Sequence, residues 1–351
     1  MFEIAKAVII ERPRHAAVKD IRLPAVDDES IVVRVHYSAI TTGTEIKTWN
    51  GRTGKLGGKL WYPLVPGYEE VGEVVYVGPK AQTTSTGETL RVGDRVMANE
   101  VRSYPDHCAA WGGQVGLAVK NPTTAGSPFD RPARIPDNVP YPSAAVAYLP
   151  AVAKKGIDKA GVREGETVVV IGMGAVGLSA VQLCKLRGAR VIAIDKSPWK
   201  AKRIEKVADH AIGCDGLLAY EPVADLTGGR MADVVIECSG DSKVVDGLCQ
   251  LVREGGWEVG DDGGRLHLQG DYPDPISITQ YAQWFNRNLR ISTSCALKAG
   301  DKEAVLHLMA EGKFDATFLY DKEIPVDQAP AEYEELEQNL DRRVKTILRW
   351  T

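Results

Sequence analysis

The stretch VVVIGMGAVGLSA, beginning at Val168, constrains the fold more than any other part of the chain. Its unbroken β-branched run reads as a strand buried on both faces, since a strand with one wet face would alternate. The strand meets Gly172-x-Gly174-x-x-Gly177 and then an apolar helical pattern. Gly172 permits a tight turn, Gly174 removes a Cβ from the path of a pyrophosphate, and Gly177 lets the helix pack close to the strand. The helix opens with Ala175 and Val176, whose end of the helix offers unpaired N–H groups to phosphate oxygens. A second strand, RVIAID, ends in Asp195. A carboxylate there accepts hydrogen bonds from ribose hydroxyls and repels a 2′-phosphate. The pattern predicts a dinucleotide site that favours NAD over NADP, with Lys196 and Lys200 nearby as cations working against that preference. The competing reading is a glycine turn with only a packing role.

Around this motif the texture of the chain changes twice. Up to about residue 142, short β-branched runs (AKAVIIE, SIVVRVHYSAI, VGEVVYVG, DRVMANE) alternate with Gly/Pro-rich segments. The segment from Ser103 to Pro136 has no clear period and is expected to be loop with one or two short strands. An Ala-rich helical stretch, PSAAVAYLPAVAKKGIDKAGV, follows. Strand ETVVVIG, helix AVGLSAVQLCKLRG, strand RVIAID, helix PWKAKRIEKVA, strand HAIGC, a loop, strand ADVVIECSG, helix SKVVDGLCQLVREGG and strands RLHLQG and RISTSCA then follow to about residue 297, which predicts a parallel sheet covered on both faces. A helix, a strand-like segment, an acidic helix and the strand VKTILRW close the chain.

The chain resembles the medium-chain dehydrogenase/reductase superfamily. The resemblance rests on ITTGTE, PLVPGYEEVGEVVYVG, VGDRVM, AGVREGETVVVIGMGAVGLSAVQLCKLRGARVIAID and DVVIECSG, and runs almost end to end. It implies an α/β protein with a GroES-like β-rich catalytic domain over residues 1–148. A Rossmann doubly wound parallel sheet domain is expected over 149–296, and a return to the first domain over 297–351. It also implies an active site in the cleft between domains, a homodimer or homotetramer, and a cofactor-binding role for Ser239.

The departures from the family pattern carry information. The zinc members have Cys-Gly-Thr/Ser-Asp where this chain has Thr42-Gly43-Thr44-Glu45, and Gly-His-Glu where it has Gly67-Tyr68-Glu69. Threonine and tyrosine are poor zinc ligands. The six cysteines, Cys108, Cys184, Cys214, Cys238, Cys249 and Cys295, contain no CxxC pair and read as reduced thiols. No zinc is therefore expected. The TGTE…PGYE variant looks most like the branch that includes bacteriochlorophyllide a dehydrogenase, and other zinc-lacking relatives act on sugar-like or cyclitol alcohols.

Without a metal, hydrogen-bond donors must stabilise the developing alkoxide and a base must take the proton. Thr44, at the family's hydroxyl relay position, is expected to contact the substrate oxygen; the alternative is a turn cap. Tyr68 either donates its phenol to that oxygen or fills the volume a metal would take. Glu69 either orients these groups and takes the proton or is a structural carboxylate. Trp49, Trp61 and Tyr148 are expected to stack on a ring-shaped substrate, with ordinary packing as the alternative.

The expected function is interconversion of a secondary alcohol and a ketone with NAD(H). The alternatives are a quinone or enoyl reductase of the same superfamily, or a catalytically idle nucleotide-binding protein. With 44% apolar and 26% charged residues and a net charge of −4, the chain offers no basic field for nucleic acid or an anionic membrane. No apolar run is long enough to cross a bilayer, and a cytosolic location with a small-molecule partner is expected.

Overall fold

The computed structural model describes residues 2–52, 60–81, 83–121, 130–258, 260 and 262–350. The part of the expected loop at residues 122–129 lies outside the described residues. The chain divides into two compact units, residues 1–151 with 298–351, and residues 152–297.

The first unit is built on two β-sheets. In the larger one, Ile31–Thr41 pairs antiparallel with Lys345–Arg349 on one side and with Glu70–Val77 on the other, and its first half also pairs with Leu117–Lys120. Ile31, Val32, Val33, Val35, Ala39 and Ile40 of this strand are buried, as a central β-branched strand requires. The smaller sheet is ordered His15–Arg22, Ile4–Arg12, Leu64–Val65 and Cys108–Ala109. Helix Ala329–Gln338, expected from its pattern, buries Tyr333 and Leu336 in the core that also holds Ile40 and Trp49.

The second unit is a parallel sheet in the order His210–Gly213, Arg190–Asp195, Thr167–Ile171, Val234–Glu237, Arg265–Leu268, Arg290–Thr293. This is the doubly wound 3-2-1-4-5-6 arrangement, in which ligands bind beyond the carboxyl ends of the strands where the order reverses. Here the reversal falls between Thr167–Ile171 and Val234–Glu237. Val168, Val169 and Val170 are fully buried, as their unbroken apolar run implied. Helix Ala175–Leu186 links the first two strands.

Some expected elements are shorter or broken. The Ala-rich stretch forms two helices, Tyr141–Ala145 and Tyr148–Ala160. The expected helix after Gly240 is α-helical only over Ser242–Val245 and tightens to 3-10 turns over Asp246–Leu251, a stretch that contains Gly247. Helices Tyr220–Thr227 and Tyr281–Asn286 lie where the sequence pattern had indicated no helix.

Candidate active site

In the first unit the site grows out of strand register. Thr41 lies opposite Lys345, and Ser38 opposite Glu70. The Ala39 N–H donates to the Glu69 carbonyl at 2.9 Å. The end of Ile31–Thr41, the Gly67-Tyr68-Glu69 turn and the start of Lys345–Arg349 are thereby adjacent. Past Thr41 the chain turns through Thr42-Gly43 into helix Thr44–Trp49.

Thr44 is half-buried and begins this helix, while Gly43 is the N-cap and no side chain caps it. The Thr44 hydroxyl and that of Thr41 lie beside the phenol of Tyr68. Tyr68 is buried, and loss of solvation, with the nearby Glu69 charge adding, holds its phenol neutral and well above the ordinary tyrosine range. Its ring meets Trp111 edge-on at 5.9 Å and Tyr148 at 4.7 Å between centroids. The structure thus brings Thr44, Tyr68 and Tyr148 together.

Glu69 and Lys345 form a buried ion pair, and Glu69 Oε1 also accepts from the Leu149 N–H at 3.3 Å. Burial raises the Glu69 carboxyl and lowers the Lys345 ammonium, and the attraction between them opposes both shifts. Both Glu69 oxygens are thereby engaged. Glu45 is likewise buried and accepts from the Thr41 N–H at 2.8 Å, the Tyr333 hydroxyl at 2.8 Å and Gln114 Nε2 at 3.1 Å. Thr42 donates its hydroxyl to the Val344 carbonyl at 3.0 Å.

Trp49 and Trp61 are not placed with this cluster. Trp49 is a core residue, stacked on Tyr333 at 5.5 Å, with its indole N–H donated to Glu337 at 2.9 Å. That packing follows from its place on the inner side of the short helix. Trp61 is 49% exposed.

A zinc ion does not fit these side chains. Thr42 offers a hydroxyl engaged with a carbonyl, Tyr68 a neutral phenol, and Glu69 a carboxylate already paired with Lys345. Zinc calls for thiolate, imidazole or free carboxylate. Among the described residues no three His, Cys, Asp or Glu side chains gather into a metal-binding group.

In the second unit the three glycines differ in what a side chain would meet. A Cβ on Gly172 (φ +91°) would lie 2.6 Å from the Ser239 nitrogen, and one on Gly177 would lie 1.7 Å from the Gly172 carbonyl. Those two are required by packing within the protein. A Cβ on Gly174 would meet nothing within 4 Å, so the space beside it is open at the head of helix Ala175–Leu186, where Ala175 and Val176 begin the turn. A pyrophosphate fits such a cradle. Asp195 accepts from the Met173 N–H at 2.6 Å through one oxygen and from the Ser197 N–H at 2.7 Å through the other. Each oxygen retains a lone pair. Lys196 is exposed and Lys200 half-buried.

Sequence reasoning missed Glu237. It ends the strand beside Thr167–Ile171, accepts from the Ser239 N–H at 2.7 Å and the Gly240 N–H at 3.2 Å, and is hydrogen-bonded by the Ser239 and Tyr272 hydroxyls. Ser239 is thereby fixed against Gly172. The signal was present, because VVIE ends in an acid just as RVIAID does.

A GroES-like β unit joined to a doubly wound dinucleotide-type unit is the architecture of a two-domain dehydrogenase. Residues 27–126 match the alcohol dehydrogenase GroES-like domain and residues 175–311 the zinc-binding dehydrogenase domain. The chain belongs to the medium-chain dehydrogenase/reductase superfamily. It is 28% identical over 345 residues to 2-desacetyl-2-hydroxyethyl bacteriochlorophyllide A dehydrogenase of Cereibacter sphaeroides, covering 98% of each chain. It is 26% identical to a sorbitol dehydrogenase of Halalkalibacterium halodurans, covering 90% of each. Galactitol-1-phosphate dehydrogenase from Escherichia coli shares the fold, with a TM-score of 0.82 at 18% identity over 98% of this chain and 100% of that one.

Two predictions follow from the buried charges. Lys345→Met should cost about 3–5 kcal/mol of stability, because Glu69 is left buried without its cation. Chemical denaturation reads this, and the Glu69→Gln/Lys345→Met double variant should recover most of the loss. Glu45 gives a pH dependence. Burial raises its carboxyl from 4.5 to about 7, so between those values the folded chain holds a proton that the unfolded chain has released. Its contribution is therefore complete below 4.5 and lost as pH rises towards about 7. Between about pH 5 and about pH 7.5 the unaltered chain should lose roughly 2–3 kcal/mol more stability in urea than Glu45→Gln does.

Proposed function

We propose that the chain is a zinc-independent dehydrogenase/reductase interconverting a secondary alcohol and a ketone with NAD(H), on a cyclic polyol, a sugar or another ring-bearing compound. The observation that carries this reading is the Thr44 hydroxyl lying beside the neutral phenol of Tyr68, at two positions where the zinc members keep their motifs. A neutral, buried donor can stabilise charge developing on the reacting oxygen without reorganising as it forms. Thr44, half-buried, is the member of the pair that substrate can reach.

The dinucleotide is assigned to the second unit. The open space at Gly174, the N–H groups at Ala175 and Val176, and the side chains of Asp195 and Ser239 are the groups that would hold it. Bound there, the oxidised nicotinamide supplies the hydride acceptor. Asp195 favours NAD, because its remaining lone pairs suit ribose hydroxyls and its charge opposes a 2′-phosphate. Relatives named for a hydroxyethyl-bearing macrocycle and for a sugar alcohol support an alcohol on a bulky or polyhydroxylated substrate.

The reading is tested by titrating the chain with NADH, then assaying cyclic polyols, sugars and hydroxyethyl aromatics, with metal analysis on the same sample. Turnover in metal-free protein is expected. Stoichiometric zinc whose removal abolishes activity would overturn the reading. Thr44→Val should lower kcat by about 100-fold or more with little change in NADH affinity. Asp195→Ala should weaken NADH binding by roughly tenfold and narrow the preference over NADPH, both read by cofactor fluorescence.

A further inference from the structure

Behind Tyr68 the first unit carries a line of polar groups. The Tyr148 ring lies against Tyr68, and its hydroxyl donates to Glu100 Oε1 at 3.1 Å. Glu100 Oε2 is 2.7 Å from Arg102 Nη1, and Arg102 also forks onto Asp130 at 2.7–3.1 Å. Lys120 donates to the Glu100 backbone carbonyl. Glu100 is 2% exposed, while the Arg102 side chain is 46% exposed. A phenol, a sealed carboxylate and a guanidinium reaching water thus stand in sequence. Burying a carboxylate in this way is costly, and packing alone does not call for it.

We infer that Tyr148 is a catalytic residue that exchanges a proton with the substrate oxygen, and that Glu100 holds that proton behind it. The inference rests on the dehydrogenase reading. In the oxidation direction, the alcohol O–H proton passes to the Tyr148 oxygen as the Tyr148 proton passes to Glu100 Oε1. The C–H bond breaks, its electron pair leaves with the hydrogen as hydride to an oxidised nicotinamide, and the C=O bond forms. Tyr148 ends neutral and Glu100 protonated, and reduction runs the same steps backwards.

The electrostatics agree with this division of labour. Burial keeps the Tyr148 phenol far above its ordinary range, so a free phenolate is avoided by handing its proton on at once. Burial is also the largest influence on Glu100, with Asp130 adding and Arg102, Lys120 and the Tyr148 hydrogen bond opposing; Glu70 and Lys302 face the same cluster. The net effect raises the Glu100 carboxyl, which makes it a better proton acceptor than an ordinary glutamate. Glu69 and its cation Lys345 are both fully buried and Glu45 accepts from three donors, whereas Glu100 takes the Tyr148 hydroxyl and its cation Arg102 reaches water.

The test uses the purified full chain with NAD+ and an alcohol that it oxidises. Tyr148→Phe keeps the ring and should lower kcat by about 100-fold or more, with NADH affinity unchanged. Glu100→Gln keeps the shape and should abolish both the acidic limb of the kcat/KM profile and the solvent deuterium isotope effect. Glu100→Asp should restore part of the rate and the limb. Unaltered kcat in Tyr148→Phe, or an unaltered pH profile in Glu100→Gln, overturns the inference while leaving the dehydrogenase reading standing. Absence of any alcohol or ketone turnover by the unaltered chain removes both. Should Tyr148→Phe fail to fold, the Glu100→Gln profile decides alone.

Discussion

Sealing a charged carboxylate inside a β-sheet is costly unless a cation or a set of donors meets it, and in the first unit Lys345 meets Glu69. That pair ties the last strand of the chain to the turn before Glu70–Val77, with Ile31–Thr41 running between them. Thr42 reinforces the same junction through the Val344 carbonyl. The position of Thr44 follows, because its helix begins where Ile31–Thr41 leaves the sheet. The closing segment of the chain is therefore part of the scaffold that fixes the Thr44–Tyr68 pair, although it lies far from both in sequence.

The second unit meets its constraint with backbone rather than ions. Asp195 and Glu237 end neighbouring regions of one parallel sheet, and both are satisfied by N–H groups of the turns that follow or flank them. Carboxylates at such points brace the turns that surround the reversal of strand order. Gly172 and Gly177 are packed tightly enough that no other residue fits without movement, which leaves Gly174 as the open position. Rigidity on two sides and space on the third is what a phosphate-binding loop needs.

Much of this was legible because it is local. The strand, the three glycines and the acid ending RVIAID lie within one short stretch, and their spacing alone implies the turn. What was not legible depended on distant partners. Lys345 reads as one lysine in a β-branched strand, and nothing near it in sequence announces Glu69. Trp49 sits among the motifs of the first unit and reads as a pocket wall, yet the acidic helix brings Tyr333 and Glu337 to it. Helix lengths were overestimated where glycine interrupts an apolar pattern, as at Gly247. The two unforeseen helices, Tyr220–Thr227 and Tyr281–Asn286, are short and carry weak periodicity, so tertiary packing rather than propensity sets them.

In the proposed zinc-independent reading hydroxyls stand in for an ion, and that changes what else the site must contain. A metal lowers the pKa of a bound alcohol directly, so the proton can leave with little help. Neutral donors such as Thr44 and Tyr68 stabilise an alkoxide but accept no proton themselves at neutral pH. A chain that works through them needs a separate base, and burial limits the choice. Glu69 is held by Lys345 and Glu45 by three donors. Glu100, reached through Tyr148, is the carboxylate connected both to the aromatic group beside Tyr68 and to a half-exposed guanidinium. The same burial that keeps the phenol neutral makes the glutamate a better proton acceptor, so a phenol in front and a carboxylate behind is the order that low dielectric favours.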